Sequence, residues 1–257
     1  MASPYDRLIE WADKFDTSLA EIARALAEML QPGSELRRFA DAWPQIEAQF
    51  RSMSVVVRDA SARAGLPPFR LLSIDDWREV EEVHQKAGID EAAALVYRLS
   101  KEALKDGPTR EQLLRDWRNN SVVATRIDIL DQALKAHELG LYAVSIPPFL
   151  AHLEGIIADS KHPSVEKRNP KFEKLKEYVA QLAEGDELMG ALITEFISDT
   201  VLQGFVRDAA RPVFSRHAIL HGFDTAYANE MNSVRAICTF DCVQDLVSEY
   251  SKSVLRT

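Results

Sequence analysis

The stretch from Phe214 to Gly222 is the densest in chemistry: Arg216, His217 and His221 fall within it, and a glycine closes it. Arginine holds a phosphate or carboxylate through paired donors. Imidazole is the side chain that both takes and gives a proton near neutrality. The set therefore suits charge neutralisation and proton transfer. Pro212 tolerates a first helical turn and Gly222 a left-handed exit, so the spacing predicts a short helix with His221 in its last turn, where unpaired carbonyls favour the imidazolium. At about 100° per residue His217 and His221 share a face, whereas Arg216 and His221 diverge by about 140°. Arg216 then reaches a ligand shared with His221 only with its long side chain, or across a partner surface. An arginine near a helix start and a histidine near its end are also ordinary surface residues.

Glu154 is the carboxylate that stands out. It falls inside the apolar stripe Phe149, Leu150, Leu153, Ile156 and Ile157, and burying a carboxylate unpaired costs several kcal/mol. It either pairs with a nearby Arg or Lys or caps a backbone donor, or it orients Arg216 or one of the histidines. Arg207 and Arg211 add positive charge ahead of Arg216, opposed in that stretch by Asp208. A rival constellation is metallic. His217 and His221 are half of a zinc set that Cys238 and Cys242 would complete, but the order His-x3-His before Cys-x3-Cys fits no trusted spacing, and no metal or other cofactor is expected.

The run Arg216-His217-Ala218-Ile219-Leu220-His221 resembles the signature of the HEPN superfamily, an arginine and a histidine about four to six residues apart, commonly with a polar residue after the arginine. Here that polar residue is His217. Gly222, Tyr227 and the Asn232-Ser233-Val234-Arg235-Ala236 opening of a last amphipathic helix are similar to HEPN-like proteins of bacterial defence loci. The resemblance covers roughly the C-terminal half. It implies an all-helical domain with the motif in a late helix and a metal-independent endoribonuclease of a toxin or anti-phage system. Arg216 and His221 would be catalytic, with His217, Arg211 and Glu154 in RNA binding or positioning. It also implies a homodimer with a cleft built from two motifs, which agrees with the divergence of Arg216 and His221, and an antitoxin or defence-system partner. The alternative is a HEPN-like dimerisation or interaction module without catalysis.

The 257 residues suit one large or two ordinary domains, and a composition of 46% hydrophobic and 28% charged residues is globular. A net charge of −9 argues against nonspecific coating of nucleic acid, though a nuclease needs only a local positive site. A second basic run, Lys161, Lys167, Arg168, Lys171, Lys174 and Lys176, reads first as a solvated face. No apolar run approaches the length of a membrane span, and a soluble cytoplasmic protein with reduced, packed cysteines is expected.

Periodicity predicts an all-α chain: an N-terminal helical region over 1–107 and a HEPN-like helical bundle over 108–257. Helices are expected through Leu8–Phe15, Leu19–Leu30 and Leu36–Met53, the last kinked or split at Pro44. Ser73-Ile74-Asp75-Asp76 caps a helix ended by Gly88, and Asp90 opens another that Asp106-Gly107-Pro108 stops. Thr109 is expected to cap a helix to Trp117, Gly140 to close one ending near His137, and Pro147-Pro148 to start the next. A polar loop to Asn169 leads to helices from Pro170 to Leu182 and from Leu188 to Phe205, and a final helix begins near Asn232.

Overall fold

The computed structural model describes residues 35–161, 177, 179, 180, 194, 196, 197 and 214–254. The expected helices before residue 35 lie outside them, as do nearly all of those over 170–182 and 188–205, the basic residues from Lys167 to Lys176, and Arg207, Arg211 and Pro212. The described elements are α1 (Glu35–Ala64), α2 (Ile74–Ala87), α3 (Ile89–Lys105), α4 (Gly107–Asn119), a 3-10 turn (Ala124–Arg126), α5 (Ile127–Glu138), α6 (Tyr142–Lys161), α7 (Arg216–Leu220) and α8 (Glu230–Val254). No strand occurs among them, and the fold is all-α. The chain divides into two compact units, Met1–Ser52 and Met53–Thr257. Of the first, the described part is the helix from Glu35; the second carries everything that follows.

Helix α6 is the axis of the second unit, packing most extensively against α8 and α5, with α7 laid on it. Its stripe Phe149, Leu150, Leu153, Ile156 and Ile157 is wholly buried, as the sequence predicts. Trp117 of α4, Phe149 of α6 and Phe240 of α8 meet with ring centroids 5.3–5.9 Å apart, a spacing at which tilted and edge-on aromatic pairs add to their burial. Val179, Phe196 and Ile197 also reach this core. Residues on both sides of the Asp106–Pro108 break contribute to it, Leu95 and Val96 from α3 and Leu113 and Trp117 from α4.

Several boundaries differ from expectation. Pro44 does not split α1, which runs through it from Glu35 to Ala64. The cap of α4 is Asp106, whose carboxylate accepts from the Thr109 backbone and hydroxyl at 3.0 and 2.9 Å. Helix α6 begins at Tyr142 and carries Pro147 and Pro148 inside it. Pro147 has no N–H for the carbonyl of Ala143, and the Tyr227 hydroxyl donates to that carbonyl instead, at 3.0 Å.

Two buried charges fix α8. Asp241 is fully buried, and its Oδ1 accepts from Arg70 Nη2 at 2.9 Å, Trp117 Nε1 at 3.0 Å and Gln244 Nε2 at 3.2 Å. Burial pushes its carboxyl up while the Arg70 guanidinium pulls it down. Arg235, also buried, donates to the Ala64 carbonyl at 2.9 Å and to Asn232 at 3.2 Å. Its guanidinium lies on Gly65 (φ 67°), where a Cβ would come within 3.0 Å of it.

Candidate active site

The candidate site is α7 and the turn of α6 beneath it. Ser215 caps α7, its hydroxyl accepting from the Ala218 N–H at 3.3 Å. The helix is thus shorter than predicted: it starts at Arg216, and His221 is its C-cap residue rather than a member of its last turn. Gly222 follows with φ 72°. Phe223 N–H donates to the Ala218 carbonyl at 2.8 Å and Gly222 N–H to the Ile219 carbonyl at 3.1 Å. This is the Schellman pattern, which needs a left-handed residue where the glycine stands. His221 N–H donates to the His217 carbonyl at 3.1 Å, so the carbonyls of His217, Ala218 and Ile219 are engaged by the chain itself.

Phe214, Ala218 and Ile219 are buried and anchor α7 to the core. They are therefore used within their own unit, and half-buried Leu220 packs against the same core. Arg216 turns back onto α6, where Nη1 pairs with Glu154 Oε1 at 2.7 Å and Nε donates to the Leu150 carbonyl at 2.9 Å. The Arg216 side chain is 11% exposed and that of Glu154 36%. Burial pushes the Arg216 guanidinium below the usual arginine range while Glu154 pulls it back up. The Glu154 in the apolar stripe thus has the arginine partner its burial requires.

His217 and His221 lie in ring contact, their centroids 4.3 Å apart and their planes at 45°. The Phe223 ring lies 6.3 Å from that of exposed His221. Partial burial, then the nearby His221 and Arg216, hold His217 below the ordinary histidine range, with Glu154 opposing. A singly protonated pair contains one acid and one base, the combination that a proton-in, proton-out reaction needs. Arg216 commits Nε and Nη1 to α6, so a phosphate contact falls to Nη2 or requires Glu154 to give way.

The structure therefore brings Glu154, Arg216, His217 and His221 together, while Arg211 lies outside the described residues. Cys238 and Cys242 are buried thiols of α8 that form no disulfide, and burial raises Cys238 well above the ordinary thiol range. No group of three or more His, Cys, Asp or Glu side chains placed to hold a metal ion occurs among the described residues, so the two cysteines do not complete a site with the two histidines there.

A second histidine constellation lies outside the Arg216–His221 motif. His137 is buried, its Nδ1 lies 2.7 Å from Ser233 Oγ, and Ser145 Oγ lies 3.0 Å from that same oxygen, which ties α5, α6 and α8 together. The signal was present in the apolar spacing of Leu130, Leu134 and His137, which sets the imidazole on the buried face. Burial holds His137 below the ordinary histidine range.

Comparison of the chain with protein-family models, curated proteins and solved structures finds no match. No helix among the described residues is long and apolar enough to cross a membrane.

Proposed function

We propose that the protein is a metal-independent endoribonuclease of the HEPN type, working in a toxin or anti-phage defence system of the cytoplasm. The observation that carries this reading is the His217–His221 contact at 4.3 Å beside the buried Arg216, in a motif whose resemblance supplies the substrate class. RNA brings its own nucleophile, so the protein has only to position the phosphate and move protons. One imidazole takes the 2′-hydroxyl proton as that oxygen attacks phosphorus. The P–O5′ bond breaks, the other imidazole protonates the leaving O5′, and a 2′,3′-cyclic phosphate remains. Arg216 steadies the charge that develops on the phosphate. In a homodimer two such helices would line one cleft, and an antitoxin or defence-system protein would govern it.

A specific observation favours a second reading. Arg216 and Glu154 are spent on holding α7 to α6, which suits a HEPN-like interaction module without catalysis. The two are separated by incubating purified protein with labelled total RNA and tRNA in EDTA. The nuclease reading expects cyclic-phosphate ends, lost in a folded His221→Ala variant. Cleavage at an unchanged rate by that variant refutes the site, and an inert wild-type protein leaves the interaction module.

A further inference from the structure

We propose that His217 and His221 also form a two-point site for a borderline divalent metal ion, zinc, nickel or copper(II), and that occupancy silences the pair. The argument starts from the ring spacing. A zinc–imidazole bond is about 2.0–2.1 Å, which puts the ring centroid about 3.2 Å from the ion. Two imidazoles on one ion then have centroids about 4.5 Å apart at a right angle and about 5 Å apart at the tetrahedral angle. The observed 4.3 Å lies just below these spacings.

The backbone beneath is already fixed. The Ser215 cap, the His221 N–H bond to the His217 carbonyl, the turn at Gly222 and the Arg216 clamp hold α7 at both ends. Ordering cost on binding is correspondingly small. The local charge is also permissive, since the positive Arg216 beside the rings is matched by Glu154 at 2.7 Å. Imidazole nitrogen selects zinc, nickel and copper(II) over magnesium and calcium, with copper(II) the tightest of the three. Two protein ligands leave the other positions to water, so the affinity belongs in the micromolar range, far from that of a closed structural zinc site.

A nitrogen that coordinates an ion no longer carries a proton, so the consequence for RNA cleavage is inhibition; that half rests on the nuclease reading, while binding does not. The test titrates EDTA-stripped full-length protein with copper(II) or zinc against a chromophoric chelator, with the copper(II) paramagnetic spectrum recorded in parallel. Expected are one ion per chain, nitrogen splitting from two imidazoles, and affinity at least about tenfold weaker in His217→Ala and in His221→Ala, each checked for unchanged helical circular dichroism. His152→Ala should bind like wild type. Equal binding by wild type and both His variants, or no binding at about 100 μM ion, overturns the site. Binding without any RNA cleavage upholds the site while refuting the nuclease. Cleavage that persists with the ion bound refutes the silencing.

Discussion

Breaking the Arg216–Glu154 clamp should unseat α7, and the structure sets the size of the effect. Two unit charges about 4 Å apart interact by about 4 kcal/mol at an effective dielectric near 20. Arg216 is 11% exposed, but Glu154 is 36% exposed; desolvation of the first and screening of the second reduce the net coupling to about 1–2 kcal/mol. Truncation costs more than the coupling, because Arg216→Ala also removes the bond to the Leu150 carbonyl and leaves Glu154 on an apolar stripe. A loss of about 3 kcal/mol is expected for Arg216→Ala, against about 1–2 kcal/mol for Glu154→Gln, which keeps an acceptor. At about 2–4 °C per kcal/mol for a unit of this size, Arg216→Ala should melt about 6–12 °C lower. Arg216→Lys should recover part of the loss, since an ammonium meets the carboxylate but lacks the planar fork that spans carboxylate and carbonyl together. Urea denaturation of wild type, both single variants and the double variant gives the coupling directly. Single effects that add to within about 0.3 kcal/mol, or an Arg216→Ala protein within about 0.5 kcal/mol of wild type, would refute the clamp.

Arg70→Met should cost about 3–5 kcal/mol by leaving the Asp241 carboxylate buried and unpaired, and adding Asp241→Asn should restore much of it; a double variant as unstable as the single sinks the assignment. His137 titrates below the ordinary value near 6.5 because it is buried, so the unfolded chain binds a proton that the native state refuses. Its contribution is present above pH 6.5 and is lost as pH falls below that. Melting temperature should therefore drop between pH 7 and 5.5, and less steeply in His137→Gln, though His152 and His217 are displaced in the same sense and keep some slope; an identical slope refutes this. Gly222→Ala meets open space and should cost about 1 kcal/mol for its positive φ alone. Gly65→Ala, which meets the Arg235 guanidinium as well, should cost about 2–3 kcal/mol. Equal losses would mean the guanidinium moves aside freely.

What was legible in the sequence was what local chemistry decides. The Ser73 box with Asp76, the buried stripe of α6, the shared face of His217 and His221, and the need of Glu154 for a cationic partner all follow from spacings within one or two turns. What was not legible depends on groups brought from afar. The start of α6 was placed at its prolines because nothing near them signals a donor for the Ala143 carbonyl; the donor is Tyr227, eighty-four residues on. Arg70 and Asp241, separated by 171 residues, carry no shared pattern at all. At α7 the apolar Phe214, Ile219 and Leu220 suit an interface as well as a core, and the packing puts Phe214 and Ile219 in the core with Leu220 half-buried against it.

That decision changes the case for a second subunit. The divergence of Arg216 and His221 suggested a cleft shared by two chains, because one helix cannot aim both at the same phosphate. Within one chain the arginine already has a use, facing α6 and holding the helix, while the two imidazoles lie in ring contact with each other. A dimer that joined two such helices would bring together four imidazoles, with the guanidinium groups set behind them at the Glu154 carboxylates. Charge neutralisation in that cleft would fall first to protonated histidine and to Nη2 of Arg216, and only then to the full guanidinium. Arg216→Lys, which keeps the charge but not the fork, therefore separates the two roles. If the arginine acts chiefly as a strut, loss of activity should follow loss of stability across the Arg216 and Glu154 variants. If it grips phosphate, activity should collapse in the Lys variant although part of its stability is recovered.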